Sequence, residues 1–282
     1  MSSRYRLNEL NKKRASIAKR GGEEKNAEQH GLGKLTANER LKKLLDDDSF
    51  VEIDSYVEHR CIDFGMEKMK SPGDGVITGY GRINGRLVFI FAQDYTVING
   101  SVGEIHASKI CKVIDMAIKM GAPLIGIYDS AGARVQEGLH ALKGYGEICY
   151  RNTKASGVIP QLSIILGPCA GSIVYSPAIT DFIFMVNNIS EMFLTGPEVI
   201  ATVTGEKTTT NGLGGSHVHG NISGVAQFVS QNEEECFQQV RELISYIPSN
   251  NLEDPPLYEI EDNLPLISEE LERIICLISY DL

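Results

Sequence analysis

The chain has 282 residues, of which 42% are hydrophobic and 23% charged, with a formal net charge of −10. That supplies apolar material for a sizeable core and excludes global disorder. The acidity, with a pI near 5.2, excludes general attraction to nucleic acid or an anionic membrane, and no apolar run approaches the roughly 18 residues that span a bilayer.

The N-terminal stretch is basic (Arg4, Arg6, Lys12, Lys13, Arg14, Lys19, Arg20) and lacks the apolar centre of a signal peptide. Its polarity suits a helix over 4–20, ended by Gly21-Gly22, with 21–34 read as a linker. Thr36 with Glu39 three residues on, ahead of Leu41, Leu44 and Leu45, is a capping-box pattern and predicts a helix near 37–46. Strands are expected at 50–57, 75–83 and 86–93, the last two flanking the hairpin signal Asn84-Gly85. The period then becomes helical from Ile105 to Ile118, with Gly121 as the stop. PLIGIY (123–128) and QLSIIL (161–166) are continuous apolar runs, as expected of strands covered on both faces.

Helices are predicted near 140–156 and 172–179, a strand over 181–186, and a helix opened by Pro197 over 197–204. A strand over 224–229 and a helix over 233–247 follow, then a Pro- and acid-rich linker over 248–265 and a helix over 268–279. A hairpin followed by repeated strand–helix units indicates a mixed α/β layered fold.

Two loops can carry chemistry. Asp129-Ser130-Ala131-Gly132-Ala133-Arg134 follows one buried strand, and Gly167-Pro168-Cys169-Ala170-Gly171-Ser172 follows the other. In α/β sheets, sites form beyond the carboxyl ends of strands. Small residues there let a ligand reach backbone N–H groups, and the second loop also opens a helix, whose N-terminus favours negative charge. Side by side, the loops would make an oxyanion hole with one N–H from each; losing one such donor costs about two to three orders of magnitude in rate. Steric need alone can also place glycines after strands.

A rival reading takes Gly167-x-Cys169-x-Gly171 as a nucleophile elbow with His217 or His219 downstream. Pro168 limits how sharply such a turn can strain, and the acid would have to be Asp181 or another carboxylate, with nothing to mark one out. The six cysteines are scattered without a Cys-x-x-Cys pair, which argues against a zinc ribbon and a disulfide scaffold and suits a reducing cytoplasm. His217-x-His219 lacks a third ligand, so no metal is expected. There is no phosphate-loop motif, and Asp46-Asp47-Asp48 reads as a solvated helix end.

Many segments, in order, resemble the acyl-CoA carboxyltransferase family of biotin-dependent enzymes, the propionyl-CoA type in particular. They are KLTANERLKKLLDDDSFVEID (34–54), EHRCIDFGM (58–66), SPGDGVITGYGRINGR (71–86), GEIHASKICKVIDMA (103–117), DSAGARVQEG (129–138), ASGVIPQLSIILGPCAGSIVYSPA (155–178), GGSHVHGNISGVA (214–226) and LISYIPSNNLEDPP (243–256). The resemblance implies a crotonase-like (ClpP/crotonase) α/β fold of repeated ββα units. It divides the chain into a basic helix and linker (1–33), an N-terminal carboxyltransferase domain (34–250), and a linker with the start of a second domain (251–282).

It also implies a reaction: transfer of a carboxyl group from carboxybiotin, on a separate carrier, to the α-carbon of propionyl-CoA through a thioester enolate. The biotin ureido group takes the α-proton, so no side-chain base is required. Carried over, the oxyanion donors lie among Gly132, Ala133, Gly171 and Ser172, and Ser130, Ala131, Arg134 and Ala170 line the substrate. Arg134 can equally pair with an acid inside the fold. The family usually has two glycines where this chain has Gly171-Ser172.

The implied partners are the acyl-CoA, a biotin carboxylase or biotin carrier subunit, and further copies in a hexamer. Nucleic acid and direct membrane insertion are not expected. Because the family site lies between the N-domain of one subunit and the C-domain of another, these 282 residues supply half a site. Alternatives are a transcarboxylase, the alpha subunit of a methylmalonyl-CoA decarboxylase sodium pump, the Cys169 hydrolase, and a non-catalytic assembly module.

Overall fold

A computed structural model describes residues 3–258; the helix expected at 268–279 lies outside them. The polar N-terminal helix is α1 (Ser3–Lys19). The segment read as linker instead contains α2 (Glu23–Gly31), with Glu23 and Glu24 facing its positive end. Gln29 on α2 is buried because its amide donates to Asp129, 100 residues away. That tertiary contact is invisible to local reading.

In α3 (Ala37–Leu44) the capping box forms in full. The Thr36 hydroxyl accepts from the Glu39 N–H, and the Glu39 side chain accepts from the Thr36 N–H. Strand β1 (Val51–Ile53) is shorter than expected, since Asp54 adopts φ 56° and turns the chain.

β2 (Val76–Ile83) and β3 (Arg86–Gln93) form the antiparallel hairpin, with positive φ at both Asn84 and Gly85, as a type I′ turn needs. Asp46 is not merely a solvated helix end: its carboxylate accepts from the Asn84 and Gly85 N–H groups and from Arg241. α4 (Glu104–Met120) stops at Gly121 in the left-handed conformation. Then come β4 (Leu124–Ser130), α5 (Leu139–Ala155), β5 (Gln161–Ala170), α6 (Tyr175–Ala178), β6 (Phe182–Val186), β7 (Glu191–Phe193), α7 (Pro197–Thr204), α8 (Thr210–Gly214), β8 (Phe228–Ser230) and α9 (Glu233–Tyr246).

The sheet runs β1-β2-β3-β4-β5-β6-β8, antiparallel through β3 and parallel from there. Strand β5 pairs β6 over Leu162–Ile165 but β7 over Pro168–Ala170, so its end leaves the main sheet. Side chains alternate between two cores. Phe89, Phe91, Leu124, Tyr128 and Ile165 pack toward α4 and α5, while Val88, Ile90, Ile125, Ile127, Leu162 and Ile164 pack toward α3 and α9. Both faces of the parallel strands are therefore covered, which is what the uninterrupted apolar runs indicated. No helix among the described residues is long and apolar enough to cross a membrane.

The capping box makes two expectations. Thr36→Ala should cost about 1 kcal/mol at neutral pH, read by urea denaturation. Burial alone would raise the Glu39 pKa, but bonds from His30 and Thr36 pull it from 4.5 down to about 2. A folded value below the unfolded one means that the stabilisation is complete above pH 4.5 and is lost as the pH falls through about 2. The stability difference between wild type and Glu39→Ala should shrink over that window.

Candidate active site

Adjacent parallel strands β4 and β5 end at the same edge, and each ends in one of the small-residue loops. Ser130 lies beside Cys169 across the ladder, after a register shift at the end of β4. Gly132 has φ 104°, and a Cβ there would stand 2.7 Å from the Ala170 carbonyl oxygen. The two loops therefore touch backbone to backbone, and only glycine permits it.

The first loop lies along the segment preceding α4. The Val102 N–H donates to the Gly132 carbonyl (2.9 Å), the Arg134 N–H to the Val102 carbonyl (3.0 Å), and the Ala131 N–H to the Asn99 carbonyl (3.0 Å). The Gly132 N–H donates to Ser130 Oγ (3.1 Å). Parallel bridging by the neighbours of Ala133 turns its own N–H away from Val102. That N–H has no acceptor among the described residues.

In the second loop, Gly171 has φ +75°, and a Cβ placed there meets nothing within 4 Å. Residues Gly171–Val174 form a 3₁₀ turn leading into α6. The first N–H groups of such a turn, here Gly171 and Ser172, have no acceptor inside it. The expected longer helix over 172–179 is thus two short turns. Charge stabilisation there depends on the N–H groups themselves more than on a long dipole.

Both ends of the first loop are anchored by buried charge. Asp129 accepts from Gln29 Nε2 (2.8 Å), Lys34 Nζ (2.9 Å) and Arg40 Nη1 (2.8 Å). Arg40 also grips Glu233 with Nε and Nη2 (2.9 and 3.0 Å) and donates to the Leu166 carbonyl of β5 (2.7 Å). Burial lowers the Lys34 pKa, opposed by the Asp129 charge. Burial alone would lower that of Arg40 too, but the Asp129 and Glu233 charges hold it above the ordinary value.

At the other end, Arg134 Nη1 donates to Asp74 (2.6 Å) and Glu137 (2.9 Å), and Nη2 donates to the Ser101 carbonyl (2.8 Å). Arg134 is only 1% exposed. Of the two readings left open for it, the acid-paired one describes its environment here, with Asp74 and Glu137 both on Nη1. Ser130 is buried, Ala131 exposed, and Ala133 and Ala170 half-buried.

The elbow reading fails on geometry. Cys169 lies inside β5, fully buried, with its thiol pKa pushed up by burial. His219 Nε2 donates to the Met192 carbonyl (2.7 Å), and His217 Nδ1 accepts from Asn221 (2.9 Å); neither is a partner of Cys169. A cavity of about 350 Å³ opens beside the second loop, lined by Val174, Met192, Phe193, Leu194, Ile200 and His219 among others. A larger one, about 540 Å³, lies between α4 and α5, and none of its lining residues belongs to either loop.

Sequence reading missed Lys34, Arg40, Glu233, Gln93 and His106. A signal existed: Arg40 sits with Ala37, Leu41 and Leu44 on the buried stripe of α3, and His106 with Ile110, Val113 and Ala117 on that of α4. A polar residue on an apolar stripe must find a buried partner.

Parallel strands covered on both faces, with touching small-residue loops at their carboxyl edge, define an α/β domain of the carboxyltransferase, crotonase-like class. The model of the carboxyl transferase domain matches residues 28–281, and the chain belongs to that family. It is 56% identical over 266 residues to methylmalonyl-CoA decarboxylase subunit alpha of Veillonella parvula (94% of this chain, 52% of the relative). It is 54% identical over 275 residues to the propionyl-CoA carboxylase carboxyltransferase subunit of Haloferax mediterranei (98% and 53%). A structure of transcarboxylase 12S with methylmalonyl-coenzyme A and methylmalonic acid bound superposes with a TM-score of 0.91 at 43% identity, covering 94% of this chain and 52% of that one. The chain spans about half the length of the curated relatives it matches.

Arg40→Leu would leave Asp129 and Glu233 buried without their shared cation. A loss of about 3–5 kcal/mol is expected in urea denaturation; a loss below about 1 kcal/mol, the range of exposed pairs, would contradict the role given to this residue.

Proposed function

We propose that the chain is part of the carboxyltransferase component of a biotin-dependent acyl-CoA carboxylase, acting on propionyl-CoA or a similar short acyl-CoA. The observation that carries this reading is the meeting of the two loops, with the Ala133 N–H unpaired among the described residues on one side and open space over Gly171 on the other.

The chemistry needs charge stabilisation more than a strong base. Removing an α-proton from a thioester places negative charge on its oxygen. Fixed N–H donors from Ala133 and from Gly171 or Ser172 would hold that oxygen and favour the enolate over the thioester. Gly132 brings the loops close enough to share one oxygen, while Ser130 occupies the Gly132 N–H and narrows the first-loop donor to Ala133. Ser172 keeps its N–H but adds bulk at the second donor. Carboxybiotin, on a separate carrier, would supply the carboxyl group and the base for the α-proton, and the open space over Gly171 fits the approach of such a group. The half-buried small side chains of Ala133 and Ala170 suit a short acyl chain.

The same reading assigns the whole protein a biotin carrier partner, assembly with further copies, and a cytoplasmic location. The five cysteines among the described residues are free thiols, which suits a reducing compartment. A second reading, the alpha subunit of a methylmalonyl-CoA decarboxylase, is favoured by the 56% identity to the Veillonella parvula protein. Both reactions pass through the same enolate, so the loops serve either. Whether the assembled protein consumes or releases methylmalonyl-CoA separates them.

Calorimetric titration with propionyl-CoA, acetyl-CoA and free CoA tests the site. Wild type should bind the thioesters more tightly than CoA, and Gly171→Val should lose that preference while melting as a folded protein. Equal binding of thioester and CoA by wild type would refute the assignment. Cys169→Ala should leave thioester binding unchanged, whereas a cysteine hydrolase would lose its activity with that substitution.

A further inference from the structure

Between the two anchored ends of the first loop runs a line of buried polar groups that the chemistry above does not use. The Asp129 N–H donates to Gln93 Oε1 (3.3 Å). Gln93 Nε2 lies 3.2 Å from His106 Nε2. His106 Nδ1 lies 3.0 Å from the Asp74 carbonyl oxygen, and the His106 N–H donates to Asp74 Oδ2 (2.9 Å). Asp74 Oδ1 accepts from Arg134. All five residues are buried.

The direction of every bond is fixed. A carbonyl oxygen only accepts, so Nδ1 must carry the ring proton. Nε2 is then an acceptor, and Gln93 must turn its amide nitrogen toward it. That leaves the Gln93 oxygen for the Asp129 N–H, as found. A proton on Nε2 would turn the Gln93 amide over and set two N–H groups against each other at Asp129. Burial, with the Arg134 and Lys109 charges nearby, pushes the His106 pKa well below its ordinary value, which keeps the ring neutral.

We infer that Gln93 and His106 are positioning residues: a neutral Nδ1–H imidazole and the amide beside it tie the Asp129 end of the first loop to its Arg134 end and so hold the Ala133 N–H in place. The functional part of this inference rests on reading that loop as a donor to a thioester oxygen. Its geometric part does not.

The test has two arms. In the first, nitrogen-15 histidine spectra of the full chain report the tautomer of His106, assigned with His106→Gln. A single neutral ring protonated at Nδ1 is expected near neutral pH. In Gln93→Glu a carboxylate cannot donate to Nε2, so the ring should gain a proton there. A wild-type ring that is doubly protonated or protonated at Nε2 overturns the strut.

In the second arm, propionyl-CoA and free CoA are titrated against His106→Leu, His106→Gln and Gln93→Leu, with melting curves as the fold check. The preference for thioester over CoA should fall about tenfold in the two leucine variants, with CoA affinity unchanged. His106→Gln, whose side-chain carbonyl can take the place of Nε2, should retain most of it. A parallel loss of both ligands, or no rescue, would reduce the pair to packing and overturn the positioning role. If wild type shows no thioester preference, the enolate reading fails, while the first arm still decides the strut. Should a leucine variant not fold, the spectra of Gln93→Glu carry the decision.

Discussion

The guanidinium of Arg40 sits where three parts of the fold meet. It leaves α3 at the buried stripe, takes Asp129 at the end of β4, takes Glu233 at the start of α9, and donates to the backbone of β5 at Leu166. Removing any one partner strands a charge in the core, which is far costlier than losing an exposed pair. The site inherits its rigidity from this point. Asp129 opens the first small-residue segment at the end of β4, and Gly167 opens the second within β5: a Cβ at Gly167 would stand 2.0 Å from Asp129 Oδ1. The second charged cluster, Arg134 with Asp74 and Glu137, fixes the far end of the first loop. Glu137 also accepts the Glu104 N–H at the start of α4, so the loop and that helix are positioned together.

Between these anchors lie Ser130, Ala131, Gly132 and Ala133, which carry almost no side chain. Oxyanion chemistry needs backbone donors held still and left bare, because a donor that must reorganise during the reaction loses much of its advantage. On the proposed reading, the buried charged residues supply the stillness and the small residues leave the donors bare. Such an arrangement, on that reading, needs no conspicuous catalytic side chain. Three residues of the types that usually mark a site are packed or engaged in structural bonds instead: Cys169, His106 and His219.

Much of the fold was legible because it depends on local period. The capping box, the Asn84-Gly85 turn, the αL stop at Gly121 and the doubly covered strands are set by residues within a few positions of each other. The two loops were legible for the same reason, since strand–loop junctions with small residues stand out in a linear reading. What was not legible depends on distance. Arg40 and Glu233 are 193 positions apart, and Lys34 and Asp129 are 95 apart. Helix α2 was missed because its buried residue, Gln29, is held from outside the segment. Arg134 presented two readings in the sequence, and only the fold shows it buried beside two carboxylates. Among the four donor candidates, the Ser130 hydroxyl engages the Gly132 N–H and the bridge at Val102 turns the Ala133 N–H away from that strand, which no spacing rule could reveal.

The central claim is that backbone N–H groups of the two loops polarise a thioester oxygen. Difference infrared spectroscopy with propionyl-CoA carrying carbon-13 at its thioester carbonyl tests it most directly. The account predicts that the labelled carbonyl band moves to lower frequency on binding, because two donors draw charge onto the oxygen. A bound thioester whose labelled band stays at its solution frequency would mean that the loops hold the ligand elsewhere, and would contradict the account.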